Sequence, residues 1–131
     1  MTARYGIDTS ILVRLLTGDP PAAFAATVRA LSTLVDGDAE IVASNQVIGE
    51  AYVAVQHHYG VDKADARAAL LSVLQSGLVA PQNGATVIVA LQTPTGCGLV
   101  DRLIADDYRR ADLVTLTLDR RMATLPDVRR L

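Results

Sequence analysis

Four acidic residues, spread over the whole chain, each adjoin an apolar segment: Asp8, Glu50, Asp101 and Asp119. A carboxylate beside core-forming residues is costly to bury unless it is paired, hydrogen-bonded or bound to a metal. Four such positions far apart in sequence suggest one site that folding assembles. Oxygen-only ligand sets suit hard divalent cations such as Mg²⁺ and Mn²⁺. The leading hypothesis is therefore metal-dependent phosphate chemistry.

The two acids in the first half of the chain also have local structural explanations. Asp8 could cap the helix that follows it, but Thr9 and Ser10 are available for that role. We therefore expect Asp8 to be free to face a ligand. Glu50 could belong to the exposed stripe of its helix. That helix is otherwise rather apolar as far as Gln56, which favours a functional role for Glu50.

The two acids in the second half have similar alternatives. Asp101 could be present only because the helix dipole favours an acid near the N-terminus of its helix. Asp119 could cap a short helix. Asp106 and Asp107 are rotated well away from the helix face that carries Asp101, so we interpret them as surface charge. The combination of four acids indicates a site more strongly than any one of them.

Apolar periodicity and capping residues predict strands that alternate with helices. Residues 85–92 could form either a helix or a strand, because periodicity does not decide, and we favour a helix. The predicted strands are 4–7, 40–43, 78–80, 113–116 and one near Val128. The predicted helices begin at Thr9 or Ser10, run over about 22–35, from Ser44 or Asn45 to near Gly60, and from Asp62 to before Gly77, and then cover 85–92, 99–110 and 119–125.

This alternation predicts an α/β fold with a mostly parallel central sheet of about five strands. Helices should cover both faces of the sheet, which makes a three-layer sandwich. Ligands of open α/β sheets bind at the carboxyl ends of the strands. Asp8 ends the first strand and Asp119 follows the penultimate one, so both should lie on that edge. We expect residues 1–131 to form a single domain.

The composition fits a compact protein of a reducing compartment. Half of the 131 residues are hydrophobic and a fifth are charged, so the chain can build a sizeable core. Its single cysteine, Cys97, cannot form an internal disulfide, and with only two adjacent histidines it cannot build a zinc site. We see no signal peptide and no segment long enough to span a membrane, so we expect a soluble, cytoplasmic protein.

The positive charge is almost all arginine, which suits bidentate contact with phosphate. Lys63 is the only lysine. The net charge of −2 argues against a nucleic-acid coat protein but permits a local basic rim. Arg14, Arg102 and Arg120 are our candidates for phosphate contacts, although acids interleaved with the arginines could make the same surface merely mixed in charge.

Four stretches of this sequence resemble the PIN-domain ribonucleases, and most closely the VapC toxins of bacterial toxin–antitoxin pairs. Their order and spacing match over essentially the whole chain. A family aspartate that often lies three residues before the third acid is replaced by Gly98, and a common aromatic after the last acid is replaced by Met122. The matching stretches are Tyr5–Leu16, Ser44–Tyr52, Asp101–Ala105 and Leu116–Met122.

The resemblance implies a PIN-like fold and an acidic quartet made of Asp8, Glu50, Asp101 and Asp119. It also implies that Thr9 or Ser10 supports the first acid and that Thr117 supports the last. The implied activity is hydrolysis of RNA phosphodiesters with Mg²⁺ or Mn²⁺, which leaves 5′-phosphate and 3′-hydroxyl ends. A cognate antitoxin and a homodimer are implied as well. The apolar residues of the first two helices exceed what one sheet face should cover, which would also favour a dimer.

Two other classes of function are alternatives to a metal-dependent ribonuclease toxin. A phosphoacceptor signalling domain would need an aspartate at the end of a mid-chain strand and a lysine near the C-terminus. Here Ser44 follows the second strand, and Lys63 is too early in the chain. A PIN fold that only binds RNA or protein, or a PIN nuclease of RNA processing without a toxin role, is a second possibility. A metal-titrated nuclease assay would distinguish the catalytic and non-catalytic alternatives.

Overall fold

A computed structural model describes residues 2–131, in which helices and strands alternate from end to end. Six α-helices and five short strands are found in this range, with a short 3-10 helix, Met122–Thr124, between the last two strands. The strands are β1 (Arg4–Gly6), β2 (Glu40–Ala43), β3 (Ala80–Pro81), β4 (Thr115–Thr117) and β5 (Val128–Arg130). The helices are α1 (Thr9–Thr17), α2 (Pro21–Asp36), α3 (Asn45–Tyr59), α4 (Lys63–Leu74), α5 (Ala85–Gln92) and α6 (Leu99–Arg110).

Local sequence signals explain where most helices begin and end. The Ser44 hydroxyl accepts a hydrogen bond from the Val47 N–H at the start of α3, and Asp62 does the same for Asp65 at the start of α4. Gly60 ends α3 with a positive φ of 64°, a conformation that strains other residues. The predicted bounds of β2 and α6, and the choice of a helix for residues 85–92, are confirmed.

Three predicted elements near turns differ from the structure. The third strand was expected at 78–80 and lies at Ala80–Pro81, and the fourth was expected at 113–116 and lies at Thr115–Thr117. The expected helix over 119–125 is only the 3-10 turn Met122–Thr124. These segments are short, and apolar pattern alone places the ends of such short elements poorly.

Within residues 2–131 the strand pairs are parallel, as the alternation of helices and strands predicts. The main sheet has the order β1-β2-β3, in which Arg4, Tyr5 and Gly6 pair with Glu40, Ile41 and Val42. Strands β4 and β5 pair separately, with Leu116 opposite Arg129. The α/β class is confirmed, but the expected sheet of about five strands is divided into three and two. As a result β1 is an edge strand of the main sheet.

The core lies between the main sheet and the helices. Its largest fully buried side chains include Leu12 of α1, Ile48 of α3, Leu70 of α4 and Leu91 of α5. The expected surplus of apolar surface on α1 and α2 is not found. Leu12, Leu15 and Leu31 are buried, and Ile11, Leu16, Phe24 and Val28 are half-buried against the same core. The two helices pack on the core and on each other, which accounts for their apolar residues.

The exposed large apolar residues lie on other parts of the chain. One group lies on α3 and α6, and another runs from Leu113 through β4 to Leu118. No helix within residues 2–131 combines the length and the apolar character needed to cross a membrane.

Candidate active site

Asp8 lies directly after β1 and is the N-cap of α1. Its Oδ1 accepts hydrogen bonds from the Ile11 N–H, at 3.2 Å, and from the Ser10 hydroxyl. The expectation that Thr9 or Ser10 would cap the helix is therefore wrong, because the carboxylate itself does so. The Ser10 hydroxyl and then the Ile11 N–H hold the pKa of Asp8 below its ordinary value. The exposed side chain is thus ionised at neutral pH, and Oδ2 is left for another ligand.

Glu50 is connected to this helix start through the residue beside Asp8. The Thr9 hydroxyl donates to Glu50 Oε2 at 2.8 Å, and Gln46 Nε2 donates to Glu50 Oε1 at 3.0 Å. These two donors, Thr9 first, hold the pKa of Glu50 below its ordinary value. Adjacent residues of α1 thus orient two separate carboxylates, with Ser10 bound to Asp8 and Thr9 bound to Glu50. The structure brings these two predicted residues together.

Asp101 lies half-buried in the first turn of α6, which packs against α3. The contact is close at Gly49: a Cβ there would lie 3.7 Å from Leu103 Cδ1 and 3.9 Å from Val100 Cγ2. Gly49 precedes Glu50, and Val100 precedes Asp101. The backbones that carry the second and third acids are therefore neighbours, because a glycine lets the two helices approach.

Asp119 is exposed and follows β4. Its Oδ1 accepts from the N–H groups of Arg121 and Met122 at 2.7 and 2.9 Å, and the Thr117 hydroxyl accepts from the Asp119 N–H at 3.0 Å. These bonds fix the turn that leads into the 3-10 helix. Within residues 2–131, β4 pairs with β5 and not with β1, so no hydrogen-bonded ladder links the strands that precede Asp119 and Asp8.

The three candidate arginines have different surroundings. Arg14 and Arg120 are exposed. Arg102 is half-buried, and its guanidinium donates to the Thr95 and Cys97 carbonyls at 2.8 and 3.3 Å. It therefore holds the loop before α6, and no local pattern in the sequence predicts this role.

Asp106 was predicted to be a surface charge, and this prediction is wrong. It is only 7% exposed. Burial opposes its ionisation, but hydrogen bonds from Asn83, Thr86 and Asn45 and the charge of Arg110 outweigh that effect and lower its pKa. Its partners come from the start of α3 and from the turn before α5, so Asp106 fixes the relative positions of these segments and α6. Asp107, by contrast, is exposed as expected.

Ionised carboxylates provide the oxygen donors that Mg²⁺ and Mn²⁺ prefer. The arrangement of these carboxylates in one chain fits a metal site less well. Within residues 2–131 no three acidic, histidine or cysteine side chains lie close enough together to hold a metal ion. A single chain in this conformation therefore offers the right donor type but too few assembled donors.

A mostly apolar groove of about 740 Å³ runs between α3 and α6 beside this site. Glu50 and Gly49 lie at one part of it, and His57, His58 and Asp107 lie at another. Val53, Val100 and Ile104 leave exposed apolar surface in its walls. The helical spacing of Val100 and Ile104 could have indicated this groove, but sequence alone gave no sign that α3 and α6 are neighbours.

The comparisons with known proteins agree with this architecture. The PIN domain family model matches residues 5–128. No curated protein and no solved structure matches the chain. PIN domains are generally nucleases, and their catalysis commonly involves divalent metal ions. Because the match spans nearly the whole sequence, the chain belongs to the PIN domain family.

Proposed function

We propose that this protein is a Mg²⁺- or Mn²⁺-dependent endoribonuclease that acts as the toxin of a toxin–antitoxin pair. The observation that carries the proposal is the linked pair Asp8 and Glu50. Two carboxylates from distant parts of the sequence are oriented by hydroxyls of one helical turn, and both have lowered pKa values. Asp8 caps α1 through Oδ1, so its exposed Oδ2 can still bind a metal ion, and Glu50 is exposed beside the same helical turn.

The side chains of the site would act chiefly as fixed negative charges. A carboxylate whose pKa lies below its ordinary value is a weak general base. Asp8 and Glu50 would therefore bind and orient rather than remove a proton. Asp101 and Asp119 would complete the set of ligands. When bound, Mg²⁺ or Mn²⁺ polarises the phosphate and acidifies water. Hydrolysis in line with the leaving oxygen would give 5′-phosphate and 3′-hydroxyl ends.

The substrate in this proposal is RNA held by its backbone. Arg14 and Arg120 are exposed and available for phosphate contacts, whereas Arg102 is already bound to two carbonyls. Contacts to phosphate position a strand but read little sequence. With one phenylalanine and four tyrosines, the chain has few aromatic platforms for unstacked bases. We therefore expect selection by RNA shape.

The groove between α3 and α6 suits the antitoxin that the proposed role requires. An amphipathic helix could place its apolar face against Val53, Val100 and Ile104. Glu50 at the edge of the groove would then lie within reach of a basic antitoxin side chain, which would compete with the metal. The homodimer expected from the family resemblance is also part of the proposal.

A PIN domain that binds RNA without cleaving it is the alternative. The variant Glu50→Gln distinguishes a catalytic PIN domain from one that only binds RNA. The amide keeps an acceptor for the Thr9 hydroxyl but removes the negative charge. We expect it to abolish Mg²⁺-dependent cleavage of a single-stranded RNA and to leave the far-UV circular dichroism unchanged. Glu40→Gln is the matched control, since Glu40 is exposed at the start of β2 and its carboxylate pairs with Arg4. Equal cleavage by both variants and the wild type would contradict a catalytic role for Glu50.

A further inference from the structure

Asn83 and Gly84 together form a pair in which a side-chain amide can react with the backbone. The chain has two asparagines, Asn45 and Asn83, and only Asn83 is followed by glycine. Asparagine is among the thermolabile residues of proteins. A following glycine has no Cβ to hinder the approach of its backbone nitrogen to the asparagine side chain. The most reactive amide of the sequence therefore lies in the turn between β3 and α5.

The fold uses both residues of this pair. Gly84 is the N-cap of α5 and has a positive φ of 76°, a conformation that strains other residues. The Asn83 side chain donates through Nδ2 to Asp106 Oδ2 at 2.8 Å and to Asp107 Oδ1 at 2.9 Å. These two bonds join the turn to α6. The reactive pair is therefore a consequence of the contacts that this turn makes.

In the folded chain, hydrogen bonds hold the groups that would have to react. The two carboxylates of α6 hold Asn83 Nδ2, and the Arg110 guanidinium donates to the Asn83 carbonyl. The Gly84 N–H donates to the Pro81 carbonyl at 3.0 Å. Ring closure requires the Gly84 nitrogen to lose its proton and to reach Asn83 Cγ. These hydrogen bonds must therefore open before the amide can react.

We propose that Asn83 is a site of spontaneous deamidation, that its contacts with α6 suppress the reaction, and that chains in which those contacts open are modified irreversibly. In the first step the Gly84 nitrogen bonds to Asn83 Cγ. The Cγ–Nδ2 bond breaks, and the amide leaves as ammonia with the proton that the Gly84 nitrogen gives up. In the second step water opens the cyclic imide at one of its two carbonyl carbons. The products are ammonia and a chain with aspartate or isoaspartate at position 83.

The modified chain cannot restore the contact between position 83 and α6. An ionised carboxylate donates no hydrogen bond, so both bonds to α6 are lost. Three carboxylates then lie together, and like charges disfavour one another. Arg110 already donates to Asp106 Oδ2 at 3.3 Å and to Thr86 Oγ1 at 2.9 Å, so several acceptors share its charge. Deamidation thus replaces an attractive contact by a repulsive one, whatever reaction the protein catalyses.

Peptide mass spectrometry tests whether the contacts with α6 protect Asn83. Folded wild type, folded Asp106→Ala and wild type unfolded in guanidinium chloride are incubated at mildly alkaline pH, and conversion of the Asn83 amide to a carboxylate is followed. We expect the unfolded chain to react fastest. If reaction follows the population of the open form, Asp106→Ala should react at least about tenfold faster than folded wild type. Asn45, which precedes a glutamine, is the internal control and should react far more slowly than Asn83 in the unfolded chain.

Two further variants make this test specific. Asp107→Ala is the matched control, because Asp107 also accepts from Asn83 but is exposed. Its rate should stay within about threefold of that of wild type. If Asp106→Ala does not fold, Asp106→Asn replaces it, and its rate should lie between those of folded and unfolded wild type. The proposal is overturned by an unfolded chain whose Asn83 stays intact, by a folded wild type that reacts as fast as the unfolded chain, or by a folded Asp106 variant that reacts no faster than wild type.

Thermal unfolding tests the consequence of the modification. Asn83→Asp carries one of the two products from the start and should have a lower Tm than wild type. Adding Asp107→Asn to this variant exchanges donor and acceptor, because the amide at position 107 can donate to the carboxylate at position 83. The double variant should therefore regain part of the lost Tm. A Tm of Asn83→Asp equal to that of wild type, or a loss that Asp107→Asn does not reduce, would refute the repulsive contact.

Discussion

Replacement of Asp106 should reveal how the acid-bearing helices are held in place. Three donors converge on Asp106 Oδ2: Asn83 Nδ2 at 2.8 Å, Asn45 Nδ2 at 3.0 Å and Arg110 Nε at 3.3 Å. Asn45 begins α3, which carries Glu50, and Asp106 belongs to α6, which carries Asp101. Asp106→Ala removes the shared acceptor. Asp106→Asn keeps an oxygen of similar position but removes the charge.

In the alanine variant, the loss of each of the three hydrogen bonds lowers the stability by a different amount. A hydrogen bond to a charged group contributes about 1.5–3 kcal/mol when its donor cannot be rehydrated. Arg110 is nearly half-exposed and Asn83 is half-buried, so water can replace much of what they lose. Asn45 is buried and keeps only the Leu103 carbonyl as acceptor. We therefore expect Asp106→Ala to lower the free energy of unfolding by about 2–3 kcal/mol and Asp106→Asn by about 1 kcal/mol.

Urea and thermal unfolding of the two variants would measure this loss. For a domain of this size, 2–3 kcal/mol corresponds to a fall in Tm of roughly 8 °C. Asp107→Ala is the control, because Asp107 is exposed and accepts from the same Asn83 at 2.9 Å. It should change the free energy of unfolding by less than about 0.5 kcal/mol. Equal stability of Asp106→Ala and Asp107→Ala would refute the assignment of Asp106 as the buried anchor.

The pH dependence of the same variants provides an independent check. The pKa of Asp106 is lowered in the folded protein, so the folded state binds this proton less readily than the unfolded state does. Its charge therefore contributes stability above about pH 4, and this contribution disappears as the pH falls through the lower, folded pKa. The stability difference between wild type and Asp106→Asn should thus be constant near neutrality and shrink below pH 4. A difference that grows on acidification would contradict this direction of the shift.

Three further predictions concern the candidate site. Asp8→Asn should abolish cleavage with little change in Tm, because asparagine caps a helix as well as aspartate does. Asp8→Ala should lose both cleavage and some stability. A folded Asp8→Asn protein with full activity would contradict the assignment of Asp8 to the active site. Millimolar Mn²⁺ should raise the Tm by mass action, and EDTA should remove activity; a Tm that does not respond to Mn²⁺, together with EDTA-resistant cleavage, would exclude the metal site. Gly98→Asp should be accommodated, since Gly98 is the N-cap of α6 and a Cβ there has no neighbour within 4 Å, and it should have a higher Tm than Gly98→Ala because aspartate caps a helix and alanine does not. A lower Tm than that of Gly98→Ala would refute the capping argument.

Sequence patterns predicted those parts of the fold that local interactions determine. The bounds of β2 and α6 follow from apolar periodicity and end signals, and the glycine that ends α3 has the positive φ expected of it. At Asp8 the prediction from local sequence is wrong even though only neighbouring residues are involved. Three consecutive residues could cap α1, and only the observed hydrogen bonds show that the carboxylate does so while the hydroxyls bind Asp8 and Glu50.

Features that depend on distant contacts could not be predicted in this way. Asp106 was expected at the surface because its position on α6 differs from that of Asp101. Its burial depends on Asn45 and Asn83, which are 61 and 23 residues away. The apolar residues of α1 and α2 were expected to form an interface, but the packing of those helices on the core buries or half-buries them. Neither the burial of Asp106 nor the packing of α1 and α2 can be predicted from the sequence of one helix alone.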